Sequence, residues 1–150
     1  MSHPSHLQSR WTLLLDGAFL AVVGTAALIA ETAGHFLGVG PLAASKGSPH
    51  TIGGFEAHGL AIIIGALLLH AAGHPHPRMW HVAAMFVHLL LGGANILFWD
   101  SFVHNDMVRV GTVTTGFHVI FVLAEAACIG GSGREPVATG NLFRRDGRRA

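Results

Sequence analysis

Apolar residues in this chain come in long unbroken runs separated by short polar breaks, not at the period of two or 3.6 expected of half-buried elements in water. Four such runs cover about residues 11–36, 52–72, 79–99 and 108–129. Each holds about the 20 residues a helix needs to cross the hydrocarbon core of a bilayer. Membrane-barrel strands are half as long and alternate apolar with polar positions, so helices are the predicted elements. The breaks are equally legible. Gly38-Val39-Gly40-Pro41 closes the first run, Gly73-His74-Pro75-His76-Pro77 makes a tight turn, and Asp100 to Asp106 joins the third run to the fourth. Short connections make sequence neighbours pack as antiparallel neighbours. The predicted fold class is therefore all-α, an integral membrane four-helix up-down-up-down bundle over residues 1–130. Residues 131–150, which open on Gly131-Ser132-Gly133 and end in arginines, read as a disordered cytoplasmic basic tail.

Composition sharpens this picture. The chain is 51% apolar and 11% charged, with a mean hydropathy of +0.51. A soluble domain carries about twice that share of charge, so lipid is the expected solvent. A net charge of +1 gives no footprint for a nucleic-acid partner. Cys128 is the sole cysteine, which rules out an internal disulfide and ordinary c-type haem attachment. Arg10, Arg78, Arg134, Arg144, Arg145, Arg148 and Arg149 share one side of the predicted bundle, against Lys46 and Arg109 on the other. The positive-inside rule then places the N- and C-termini in the cytoplasm and the chain in the cell membrane as a multi-pass protein.

The chemistry lies in where the ionisable residues fall. Among the 12 histidines, His58, His70, His81, His88 and His118 sit well inside the runs and His35 at the end of the first, together with Asp16, Glu31, Glu56 and Glu125. A charged group facing lipid is expensive, so these side chains should face the bundle interior. Their spacing agrees. His81, His88 and Asn95 recur every seven residues, as do Gly111, His118 and Glu125, and Glu56, Ile63 and His70. For antiparallel helices, residues at one depth have numbers that add to a constant. A constant near 206, estimated from the helical rise, sets His88 beside His118, His81 beside Glu125 and Asn95 beside Gly111. A second, near 151 on the same geometry, sets Glu56 beside Asn95 and His70 beside His81. Glu31, His35 and His58 should gather near the outer end, and Asp16 near the inner layer.

Three readings follow. In the first, His88 and His118 ligate a b-type haem at mid-membrane, or His70, His81 and Glu125 hold a divalent metal between the second, third and fourth helices. In the second, the seam of Glu31, Glu56, His58 and Asn95, with the midplane histidines, relays protons or a small ion. In the third, the polar groups only fix helix pairing in an accessory subunit of a larger membrane complex or in a homo-oligomer. The first reading is favoured, because layered histidines among glycines suit a ligand pocket. No nucleophile–base pair, phosphate loop or dinucleotide fingerprint is present, so no enzymatic activity is assigned.

Overall fold

The computed structural model describes residues 4–74 and 77–131, with side chains from Leu7 onward. The chain is helical, and the described residues contain no strand. Helix α1 spans Pro4–Thr32 and runs on into a π-helical turn at Ala33–Leu37. That turn stops at Gly38, whose left-handed backbone (φ 69°) lets the cap close onto the carbonyls of Ala33 and Gly34. After a short 3-10 turn at Ala43–Ser45 come α2 (Thr51–Ala71) and α3 (Arg78–Leu97). The predicted loop between the third and fourth runs is instead largely a short helix, α4 (Trp99–His104), followed by α5 (Val108–Gly131). Of the predicted tail, residues 132–150 lie outside the described residues.

Four helical stretches, Leu7–Leu37, Thr51–Ala71, Arg78–Leu97 and Val108–Gly131, are long and apolar enough to cross a membrane. Several hydroxyl side chains on these helices turn back onto the backbone. Thr12, Thr25, Thr32, Thr112 and Thr114 each donate a hydroxyl hydrogen to the carbonyl four residues earlier. This satisfies the hydroxyl within its own helix and leaves a methyl group outward.

The helices pair as two hairpins. In the first, α1 and α2 touch backbone to backbone, since a Cβ on Gly17 would sit 2.7 Å from the Gly65 carbonyl oxygen. Farther along, one on Gly24 would sit 3.0 Å from the His58 carbonyl oxygen. Rising numbers on one helix meet falling numbers on the other, so the pair is antiparallel. In the second hairpin, His81 meets Glu125, His88 meets His118, and Asn95 meets Thr114 and Thr115, again antiparallel. Helix α1 lies along α3 in parallel, because Ser9 bonds His81 and Asp16 bonds His88 at the same separation of 72 residues. A small core of Leu13, Leu20, Ala61, Leu68, Ala71, Ala72 and Ala84 joins the hairpins. Large apolar residues such as Ile63, Phe86, Leu90 and Leu123 stay exposed.

Candidate functional site

Four ionisable residues have no solvent exposure at all: Asp16, His81, His88 and Glu125. They come from α1, α3 and α5, and each is held by the others. His81 uses both ring nitrogens, Nδ1 on Glu125 Oε2 and Nε2 on the Ser9 hydroxyl at 2.6 Å. His88 also uses both, with Nε2 donating to Asp16 Oδ1 at 2.7 Å and Nδ1 bonded to His118 Nδ1 at 2.8 Å. In a bond between two imidazole nitrogens one must donate and the other accept, so a proton sits between these rings. Phe121 stacks on His88 with ring centroids 4.9 Å apart, and Phe19 stands edge-on to His118 at 6.1 Å.

The two clusters also meet. Asp16 Oδ2 and Glu125 Oε1 find no donor among the described residues, and the two carboxyl groups lie within hydrogen-bonding reach of each other. Two carboxylate oxygens attract only with a proton between them. Two hydrogen-bonded clusters result, Ser9–His81–Glu125 and Asp16–His88–His118, and a proton shared by the two carboxyl groups would join them into one series. On the helical rise, the step from His81 to His88 covers about 10 Å of the bundle's length.

Beyond His118 the interior opens into a cavity of about 530 Å³. Its polar lining includes His118, Asn95, Thr114, Glu31 and His58, and its remaining wall is largely apolar. Glu31 Oε1 lies 3.1 Å from His58 Nδ1. Asn95 donates to the hydroxyls of Thr114 and Thr115, both at 3.2 Å. Ser101 and Asn105, from α4 and the residue after it, also line the cavity, so it extends toward that connection.

The structure thus brings together His88 with His118, His81 with Glu125, and Glu31 with His58. It separates others. His70 is exposed, its ring 4.7 Å from that of His74, and takes no part with His81 and Glu125. Glu56 is exposed and does not meet Asn95. The reason is the same for both: α2 turns Ala61, Gly65, Leu68 and Ala71 inward, and Glu56 and His70 fall on the other side. The predicted pocket between the second, third and fourth long helices is replaced by a seam between the first, third and fourth. Asn95 reaches Thr114 and Thr115, one turn past Gly111, because the Phe102 ring of α4 packs at Gly111. Asp16 bonds His88 as well as approaching Glu125, so it joins the two layers expected to be separate.

The donor geometry bears on the ligand readings. Axial haem ligands approach iron from opposite sides of the porphyrin plane. Here the two imidazoles bond each other directly, and the second nitrogen of His88 is held by Asp16. Without His70, the inner metal set reduces to two residues that bond each other. Among the described residues, no three His, Cys, Asp or Glu side chains are grouped to hold a metal ion.

Ser9 went unnoticed as a member of the seam. Its signal was present, since Ser9 and Asp16 are seven residues apart, the interval that separates His81 from His88. Compared with protein-family models, with curated proteins and with solved structures, the chain finds no match.

Proposed function

We propose that this chain is a four-span membrane protein, an up-down-up-down bundle that carries protons through its interior. The observation that carries the reading is the pair of adjoining buried clusters from Ser9 to His118, opening onto the cavity lined by Asn95, Glu31 and His58. Intramembrane ionisable residues that bond one another are the usual material of proton relays. Imidazole suits the task because it can take a proton on one nitrogen while releasing one from the other. A proton entering the cavity is taken by His118 at Nε2, and His118 releases one from Nδ1 to His88. His88 hands its Nε2 proton to Asp16, and the contact between carboxyl groups passes one to Glu125. His81 then carries it toward Ser9. Ring reorientation of each histidine resets the series.

The antiparallel hairpins and the parallel α1–α3 pair support the up-down-up-down arrangement. The arginine asymmetry supports a cytoplasmic Ser9 end and an outer cavity.

The test is proton flux into vesicles that trap a pH-sensitive dye, driven by a potassium diffusion potential. Vesicles containing the protein should acidify faster than empty ones, and His118→Ala and Glu125→Gln should each cut the difference about tenfold or more, as loss of a relay member implies. Wild-type flux in either variant, or wild-type flux equal to that of empty vesicles, rejects the proposal. Glu125→Gln keeps the shape of the side chain, so its effect separates proton handling from packing.

A further inference from the structure

Glu31 faces two spaces. Besides the cavity that reaches His118, it lines a separate cleft of about 430 Å³ together with His35, Phe36, Thr51, Ile52 and Phe55. Three of these residues keep a polar side-chain atom shut from solvent and without a hydrogen-bond partner among the described residues. They are Glu31 Oε2, His35 Nδ1 and Thr51 Oγ1. The other oxygen of Glu31 lies at ion-pair distance, 3.1 Å, from His58 Nδ1. Buried polar atoms normally find partners, and each exception calls for an explanation. Three exceptions on the residues of one cleft point to a common one.

All three atoms can accept a hydrogen bond. The carboxylate oxygen and the hydroxyl oxygen do so directly, and the imidazole nitrogen does so when the ring proton sits on Nε2. No lysine or arginine of the described residues lines the cleft; Lys46 is exposed and lays its methylenes against Gly38, the Thr32 hydroxyl donates to the Leu28 carbonyl, and the Ser48 hydroxyl oxygen accepts from the His50 N–H. The other walls are apolar and open. Phe36 is 70% exposed, Ile52 66% and Phe55 49%. Aromatic faces attract cations, and the two phenylalanines flank a carboxylate.

We propose that this cleft binds a primary alkylammonium ion. Its head offers three N–H donors to Glu31, His35 and Thr51, and its apolar tail lies along Phe36, Ile52 and Phe55. Turning the three side chains toward the ligand breaks no bond at these atoms, since they make none. A quaternary ammonium has the charge but no N–H, and an alcohol has a donor but no charge. A divalent metal would want more strong ligands than one carboxylate and one imidazole. The site stands apart from the proton reading, since the relay from His118 to Ser9 does not run through it.

The test uses the full chain in nanodiscs of zwitterionic lipid, titrated calorimetrically, with empty nanodiscs subtracted. Hexylammonium is the probe, and hexyltrimethylammonium and hexanol are the comparisons. Hexylammonium should bind saturably, and both comparisons about tenfold or more weaker, the scale of a lost charge-assisted hydrogen bond. Glu31→Gln and Thr51→Val should each weaken hexylammonium by a similar factor. Thr51→Val preserves side-chain shape, so the result does not hang on Glu31, whose loss also disturbs His58. The proposal is overturned by binding no greater than to empty nanodiscs, by equal affinity for the three probes, or by wild-type affinity in either variant.

Discussion

The two hairpins are held by opposite means. Between α1 and α2 the contact is glycine against backbone, with Gly17 on Gly65 and Gly24 on the His58 carbonyl. Between α3 and α5 it is side chain against side chain, with His81 on Glu125, His88 on His118 and Asn95 on two threonines. In lipid the hydrophobic effect gives no reason for helices to associate, so close packing and interhelical hydrogen bonds must do it. The first hairpin relies mainly on packing, with the approach of Glu31 to His58 as its polar contact near the cavity. The second relies on hydrogen bonds and is chemically active. The buried histidine seam therefore lies where the glue is polar, and α2, bound by glycine contacts, contributes little to it.

The comparison can be broken where the hairpins meet. Asp16 lies on the first hairpin and serves the second, so Asp16→Leu should be the most damaging change. It leaves the inner nitrogen of His88 without its partner, and removing one member of such a buried pair costs about 3–5 kcal/mol. Reversible unfolding in mixed detergent reads the loss; a change below about 1 kcal/mol, the level of an exposed pair, would show that the buried bonds do not join the hairpins. Next comes Gly65→Ala. Its Cβ would lie 2.7 Å from the Gly17 carbonyl oxygen and 2.8 Å from the Ala21 nitrogen, so the backbones must part. Overpacking of this kind costs about 1–3 kcal/mol. The side-chain amide NMR signals of Asn95 should stay put, because its bonds to Thr114 and Thr115 lie within the other hairpin; a large shift there would deny that the two contacts are separate. The smallest effect belongs to Asn95→Leu, about 0.6 kcal/mol as measured for typical interhelical hydrogen bonds. A loss several times larger would make Asn95 a structural keystone and not part of the cavity lining.

Much of the active hairpin was legible in the sequence. The seven-residue interval on α3 and α5, with one constant for the register, was enough to pair His88 with His118 and His81 with Glu125. The same interval misled on α2. Glu56, Ile63 and His70 share a stripe, yet glycine and alanine, not polarity, decide which face of α2 turns inward. Near a helix end a polar side chain can reach water, so its presence says less about burial than it does at mid-helix. The displaced partner of Asn95 has a different origin. A tight turn was assumed where α4 intervenes, and the Phe102 ring takes the space beside Gly111. Ser9 was missed because the apolar run was begun at Trp11, whereas α1 starts at Pro4 and carries the seam one layer farther.

Time adds a constraint that the finished bundle conceals. Asp16 is made 72 residues before the imidazole that satisfies it. At ordinary translation rates this is a wait of roughly 4–14 s. On the four-span reading proposed above, the newly made α1–α2 hairpin holds that carboxyl group in the membrane throughout, without the imidazole that later bonds it. Lipid penalises that group at every moment until α3 arrives. On that reading the unmet acid marks the half-made protein as incomplete. Its burial against His88 is the sign that the second hairpin has come home.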